Sequence, residues 1–330
     1  MPTMLNRYKQ WMRKFARRKG PARIIAFLKQ VKLPGFQGLS VWYVMTFFIE
    51  ALMKGQVATR AAAISFRLFL AFFPGIIMLL TLIPYIPIDN FQASLFESIE
   101  GFFPGDTFTL FESTLKDLLN NKHSGLLSIG FLLTIYYASN SINAILIGFN
   151  TSYHLEDKGN VWVMRIASVL LIFVLGFIMT VAVAIMIFSG TLFNWLHEMG
   201  MIGDRGIIPI LNTVKWIISV FLMYALISTL YNVGVGRRRR RWRFFNVGAT
   251  FATIFFVLTS MLFAYFVTNF AAYNKLYGSL GTLLVLLIWL NFNCMIVLMG
   301  FELNQSIRKA RKSIPKPEPV VEPIKNTIKE

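Results

Sequence analysis

The chain has 330 residues, of which 56% are hydrophobic and 15% are charged, with a mean hydropathy of +0.59. A soluble domain carries about 25% charged residues, so this composition leaves too little polar surface to cover a globular core and argues against a water-soluble enzyme. The formal net charge of +18 favours an anionic membrane surface, and the single cysteine, Cys294, excludes an intrachain disulfide and a multi-cysteine metal site.

The first 35 residues are polar and basic, and they contain no acid. No apolar core of the kind found in a cleaved signal peptide follows their basic start, so we predict a cytoplasmic N-terminal segment over 1–35. The apolar stretch 39–53 is too short for a crossing of about 20 residues, and it is interrupted by Glu50 and followed by Lys54. We predict an interfacial helix that lies along the membrane.

Six longer apolar runs follow, and each reaches the length needed to cross about 30 Å of hydrocarbon. They are apolar around the whole helix rather than along one stripe, as expected for membrane spans. The sequence therefore predicts an all-α integral membrane protein with a six-helix domain over 36–310. The predicted spans are 61–87, 125–150, 163–194, 207–233, 244–270 and 278–304.

The placement of basic residues gives the orientation of these spans, because Lys and Arg collect in cytoplasmic loops. With both termini inside, 27 of the 33 Lys and Arg fall on the cytoplasmic side and five on the outer side, while Arg67 lies within a span. Eight of the 15 acids lie on the outer side. We therefore predict a multi-pass protein of the bacterial inner (plasma) membrane with both termini in the cytoplasm.

The outer connection 88–124 and the C-terminal segment differ in composition. Apolar residues at near-helical spacing on both sides of Pro104 predict two short amphipathic helices on the outer face. The segment 311–330 combines four prolines with Lys and Glu and cannot bury a core, so we predict a disordered cytoplasmic tail.

Polar side chains inside the spans are the candidates for function, because each needs a partner within the protein or a wet cavity. In the second span, polar residues at offsets of 0, 4, 7 and 14 from Tyr136 share one helical face, which we expect to point away from lipid. In the sixth span, Asn291 and Glu302 are eleven residues apart, and Asn293 and Asn304 repeat that spacing. The candidate intramembrane polar site comprises Arg60, Arg67, Tyr136, Asn140, Asn143, Asn291, Asn293 and Glu302.

Glu302 belongs near the cytoplasmic end of its helix, where a pair with Arg60 or Arg67 would neutralise two costly charges. Such a pair has two interpretations: a polar cavity or gate that faces the cytoplasm, or hydrogen bonding that only holds the helices together. Pro74 and Gly75, in the middle of the first span, remove a backbone hydrogen bond and form a candidate hinge.

A run of arginines between the fourth and fifth spans has the charge of a nucleic-acid patch. Its position between two spans favours contact with anionic headgroups instead, with Trp242 as an interface anchor, and we expect no nucleic-acid partner. The predicted anionic-lipid contacts are Arg237, Arg238, Arg239, Arg240, Arg241 and Arg243.

The sequence carries no motif of a hydrolase. The three histidines stand in three different predicted loops, and no zinc-binding helix motif, phosphate-binding loop or nucleophile elbow is present. We expect no enzymatic activity, no catalytic residues, no metal and no cofactor.

Two stretches resemble the YihY/BrkB family of bacterial inner-membrane proteins, some of which were formerly labelled ribonuclease BN. They are RAAAISFRLFLAFFPGIIMLLTLIPYIP, from Arg60 to Pro87, and YGSLGTLLVLLIWLNFNCMIVLMGFELNQSI, from Tyr277 to Ile307. The resemblance extends over about 35–310 and implies a six-helix core, an inner-membrane location and a part in envelope lipid or solute transport or, in some pathogens, serum resistance as a virulence factor. Arg67 and Phe301 depart from the pattern, since many relatives look aromatic at the first position and small at the second.

Two functions remain open. The leading hypothesis is a transporter or lipid-handling protein of the cell envelope, with membrane lipids as partners and a lipid or a small solute as substrate. The alternative is a non-transporting scaffold that organises envelope machinery through its outer helices and its tail. A membrane-bound ribonuclease is the least favoured interpretation, and the glycines of the sixth span leave a homo-oligomer open.

Overall fold

A computed structural model describes residues 19–86, 92–93, 95–96, 109–153, 160–198, 207–234, 242–269 and 271–313. Within these ranges the secondary structure is helical, and no strand is found. The helices are α1 Lys19–Gln30, α2 Val41–Lys54, α3 Val57–Leu82 with a 3-10 turn Ile83–Tyr85, α4 Thr109–Asn120, α5 Ser124–Asn150, α6 Val161–Glu198, α7 Ile207–Gly234, α8 Val247–Asn269 and α9 Ala271–Lys312.

Six of these helices are long and apolar enough to cross a membrane, which confirms the predicted fold class and number of spans. They are α3, α5, α6, α7, α8 and α9. Helix α9 has 42 residues, is about 63 Å long at 1.5 Å per residue, and contains the whole of the predicted sixth span, 278–304. Its last turn carries Lys309, Arg311 and Lys312, whose positive charges suit the negative end of the helix dipole and support the extra length.

The six spans alternate in direction and form a closed ring. Contacts join α3 to α5, α5 to α6, α6 to α7, α7 to α8, α8 to α9 and α9 back to α3. We call the end at which α3, α6 and α8 begin and α5, α7 and α9 end the basic end. Arg60, Arg165, Arg243 and Arg308 all lie there.

The main apolar core sits towards the basic end. Phe149 of α5 is fully buried and stacks on Phe301 of α9, with ring centroids 4.2 Å apart. Tyr231 of α7 packs edge-on against both rings, at 5.5 and 5.8 Å. Phe301 therefore fills the centre of this core. Elsewhere the spans expose large apolar side chains, as surfaces that contact lipid do.

Helix α2 packs across the basic end of α9. Ser40 caps its first turn by accepting a hydrogen bond from the backbone N–H of Tyr43 at 3.4 Å. Val44 and Phe48 are buried in a cluster with Leu303 and Ile307 of α9. The structure thus contains a helix at the predicted place, and its location along the membrane surface stays a prediction.

Helix α4 lies beyond the opposite end of the bundle. Leu115 and Leu119 bury one face of it against Ile83 at the end of the first span. Leu95 and Phe96 pack on the same cluster, but most of the first predicted amphipathic helix lies outside the described residues. The predicted tail from 314 and the N-terminal residues before 19 also lie outside them.

Candidate functional site

A buried ion pair joins three spans at the basic end. The Arg60 Nη2 of α3 lies 2.7 Å from the Glu302 Oε1 of α9, and the two side chains are 13% and 1% exposed. The Arg60 Nη1 also donates to the backbone carbonyl of Gly148 on α5 at 2.6 Å. Ser152, just after α5, donates its hydroxyl to the other carboxylate oxygen at 2.7 Å. Both oxygens of Glu302 are therefore bonded, and α3, α5 and α9 meet at one point.

The turn before α3 leaves room for this pair. A side-chain carbon at Gly55 would lie 2.9 Å from the Arg60 Nη2 and 3.4 Å from the Glu302 Oε1. Glycine at this position therefore allows the backbone to pass close to the guanidinium. Charges buried in this way are costly unless they are paired and hydrogen-bonded, so the site depends on both partners being present.

Of the two arginines considered as partners for Glu302, Arg60 makes the pair and Arg67 does not. The side chain of Arg67 is exposed and has no hydrogen-bond or ion-pair partner among the described residues. Around the axis of α3, at 100° per residue, Arg67 lies about 20° further than Arg60 from the centre of the buried face. Along the axis, Arg67 lies about 10 Å deeper in the span than Arg60. Its backbone carbonyl accepts a hydrogen bond from the Ser141 hydroxyl at 2.8 Å.

The polar residues Asn143, Asn140 and Tyr136 of α5 lie along a line that leads away from the ion pair. We call this line the polar track. Asn143 is half-buried, and its Oδ1 lacks a partner among the described residues. Asn140 accepts a hydrogen bond from Arg165 of α6 at 3.3 Å. Tyr136, further along, is 54% exposed, and the prediction that this face points away from lipid stays a prediction. Only part of its ring is covered, by the edge-on contact with Tyr137.

The remaining predicted site residues are not part of the Arg60–Glu302 ion pair. Asn293 of α9 is buried and donates to the backbone carbonyl of Trp289 within its own helix at 2.8 Å. Asn291 is half-buried and does not join the ion pair. Pro74 lies inside α3, which continues as a helix on both sides of it, and a side-chain carbon at Gly75 would meet open space. Arg237 to Arg241 lie outside the described residues.

A second polar group at the basic end, which we call the amide network, links α7, α8 and α9. The Asn304 Oδ1 accepts from the backbone N–H of Gly248, and its Nδ2 donates to the Asn246 Oδ1, both at 2.8 Å. Asn246 also caps α8 by accepting from the N–H of Ala249 at 2.8 Å. Asn232 exchanges two hydrogen bonds with the backbone of Arg243, at 3.0 and 3.1 Å.

Beside this network lies a cavity of about 340 Å³, which we call the amide pocket. Its polar lining includes Asn232, Arg243, Asn246, Asn304, Gln305 and Arg308. Of these residues, Arg243 and the spacing of Asn304 could be identified from the sequence, and the others could not. Asn232 and Asn246 stand at helix ends, where asparagine is common, so no sequence signal distinguishes them from ordinary caps.

A metal ion is held by several ligating side chains that lie close together. No group of three or more His, Cys, Asp or Glu side chains comes together within the part of the chain that the structure describes. His123 has one acidic neighbour, Asp117, at 3.1 Å near the end of α4.

Comparison with known proteins finds relatives over most of the chain. The family model described as virulence factor BrkB matches residues 48–324. The putative ribonuclease-like protein YfkH of Bacillus subtilis is 30% identical over 268 residues, which cover 81% of this chain and 95% of that protein. A UPF0761 membrane protein of Idiomarina loihiensis is 23% identical over 70% of this chain and 76% of its own length. No solved structure matches the chain.

Proposed function

The chain belongs to the virulence factor BrkB family, as the two sequence motifs predicted, and from this premise we propose that it is a transporter or lipid-handling protein of the cell envelope. It is a multi-pass membrane protein. In this proposal the basic end faces the cytoplasm, and the Arg60–Glu302 pair closes a polar route through the ring of spans at that end. The substrate is a lipid or a small solute.

The observation that carries the proposal is the position of the ion pair. It joins α3, α5 and α9, which are not consecutive in the chain, through contacts made by only four residues. A charge pair buried between spans is expensive to maintain and contributes little net stability compared with apolar packing. If the ion pair opens and closes as a gate, that function explains why the protein contains a costly buried pair at this position.

The polar track supplies the second support. It runs from the level of Gly148, where Arg60 is bonded, through Asn143 and Asn140 to Tyr136. Twelve residues of helix separate Gly148 from Tyr136, which is about 18 Å at 1.5 Å per residue, or more than half of the hydrocarbon thickness. Polar groups at that depth favour a route for polar cargo.

The experiment uses a cysteine reporter on the polar track. Cys294→Ala removes the native thiol, and Asn143→Cys supplies the reporter in inside-out membrane vesicles. We expect a membrane-impermeant maleimide to label this reporter slowly when the ion pair is intact and at least fivefold faster after Glu302→Gln. Glu50→Gln is the matched control, because it removes a carboxylate that also pairs at 2.6 Å but is exposed. Equal labelling rates in all three proteins would contradict the gate.

A cell assay separates transport from the scaffold alternative. Under the transport proposal, Glu302→Gln and Asn140→Ala reduce envelope resistance or export although the protein inserts normally. Under the scaffold alternative these variants act as wild type, whereas deletion of 313–330 together with replacement of 91–120 abolishes function. Full activity of Glu302→Gln and Asn140→Ala would argue against transport.

A further inference from the structure

The asparagines of the amide pocket are already engaged within the protein. The Asn304 amide bonds Gly248 and Asn246, and the Asn232 amide bonds the backbone of Arg243. The Asn246 Nδ2 donates to the hydroxyl of Ser228 at 3.2 Å. These groups shape the wall of the pocket and hold its loop in place, so other side chains supply the groups that face a ligand.

Gln305 supplies a buried donor at the wall of this pocket. Its side chain is only 2% exposed, and its Nε2 has no hydrogen-bond partner among the described residues. Its other end is fixed, because the Gln305 Oε1 accepts from the Arg308 Nη1 at 3.1 Å. A buried amide N–H without a partner is unfavourable, so a ligand that accepts this hydrogen bond recovers the free energy lost on burying the donor.

The charged groups of the pocket are both cationic. Arg243 and Arg308 line it, and none of the described side chains in its lining is acidic. Guanidinium groups are donors only and match the oxygens of phosphate or carboxylate in pairs. The lining of the pocket therefore combines positive charge with an unpaired amide donor buried in its wall, which is the chemistry that binds an anion.

The level of the pocket along the spans indicates which anion it would meet in a membrane. Trp242 and Phe245 flank Arg243 in the chain and are 60% and 78% exposed. Exposed aromatic side chains at the end of a span mark the level of the lipid headgroups, where the phosphate groups of phospholipids lie. The phosphate ester of a phospholipid headgroup is therefore an anion found at this level of a membrane.

We propose that the amide pocket binds a phosphate ester through the Gln305 Nε2 and the guanidinium groups of Arg243 and Arg308. The phosphate belongs either to a phospholipid headgroup or to a soluble phosphate ester that enters from the same side. The proposal concerns binding, and it holds whether or not the protein transports its ligand.

The test measures the thermal unfolding of the full-length protein, delipidated in a non-ionic detergent, as the ligand concentration rises. The probes are phosphatidylglycerol, glycerol 3-phosphate and diacylglycerol, the last of which has the lipid chains without the phosphate. Gln305→Leu removes the donor and Arg243→Gln removes a charge. Lys312→Gln is the control, since it removes a charge from the same helix end outside the lining of the pocket.

We expect phosphatidylglycerol to raise the unfolding temperature of the wild type while diacylglycerol does not. Loss of a hydrogen bond to a charged group weakens binding about tenfold or more, so Gln305→Leu and Arg243→Gln shift the titration by that factor and Lys312→Gln by less than twofold. Stabilisation by phosphatidylglycerol alone assigns a lipid ligand, and stabilisation by glycerol 3-phosphate as well assigns a soluble ester.

Two results would overturn the proposal: no stabilisation by either phosphate probe, or an equal loss in all three variants. Arg243 is exposed, so its variant tests the site even if Gln305→Leu fails to fold. Gln305→Glu gives a second test at the buried position. It keeps the size of the side chain but places an acceptor where the phosphate would lie, so it should weaken the binding of the phosphate probes.

Discussion

Arg60 and Glu302 are 242 residues apart in the chain, and their side chains meet at 2.7 Å in the buried wall of the ring. The contact closes the ring between the first span and the last. Arg60 also bonds Gly148 of α5, and Glu302 also bonds Ser152, two residues after α5, so the loss of either side chain leaves groups unpaired on two other segments.

The first prediction concerns the stability of this pair. Glu302→Ala and Arg60→Ala should each lower the free energy of unfolding by about 3–5 kcal/mol, because each leaves an uncompensated buried charge. The double variant should lose much less than the sum, since it leaves neither charge behind. Unfolding in mixed micelles, followed by circular dichroism, measures all three.

The exposed pair between Glu50 and Lys54 provides the control for this cycle. It has a similar distance, 2.6 Å, but both side chains are about one-third exposed. Glu50→Ala should therefore cost at most about 1 kcal/mol. Strict additivity of Arg60→Ala and Glu302→Ala would show that the two side chains are not coupled.

The second prediction concerns the close approach of α8 to α9. A side-chain carbon at Gly248 would collide with the backbone carbonyl of Gly300 and with Asn304. Gly248→Ala should force the helices apart and lower stability by about 1–3 kcal/mol in the same unfolding assay. Gly176→Ala on α6 is the matched control, because nothing lies within 4 Å of its added carbon. That variant should be neutral or slightly stabilising, through helix propensity.

The third prediction concerns the aromatic core. In a membrane the unfolded reference state keeps the ring of Phe149 among lipid chains, so Phe149→Ala loses packing rather than transfer from water. The cavity left by the ring should cost about 2 kcal/mol at about 24 cal/mol per Å³. Phe177→Ala, at an exposed position, should change the free energy of unfolding by less than about 0.5 kcal/mol. Similar losses for both variants would contradict the burial of Phe149.

The fourth prediction concerns orientation. Reporter fusions at residue 100 and residue 240 should lie on opposite sides of the membrane, with residue 240 in the cytoplasm, because the arginine run precedes α8. Alkaline phosphatase and green fluorescent protein fusions at each site report the side directly. Activity of the phosphatase fusion at residue 240 would reverse the assignment of the basic end.

The six spans could be predicted from sequence because length and all-round hydropathy suffice to specify a membrane helix. The partner of Glu302 could be narrowed to two arginines for a related reason, since a buried charge needs an opposite charge at the same depth. Choosing Arg60 over Arg67 required the position of α3 along its axis relative to α9, because the two arginines lie only about 20° apart around α3 but about 10 Å apart along it.

The amide pocket could not be predicted in the same way. Its wall combines residues from four separate segments, and Gln305 looks in sequence like a polar residue at the end of a span. Its importance depends on one nitrogen atom that is buried without a partner. That property depends on how α9 is rotated against α8 and on the loop that precedes α8.

Helices α9 and α3 differ in how easily they can bend. Helix α9 runs for 42 residues without a proline, whereas the neighbouring α3 carries Pro74 in its middle. Because proline removes one backbone hydrogen bond from a helix, bending at the middle of α3 costs less free energy than bending an unbroken helix such as α9.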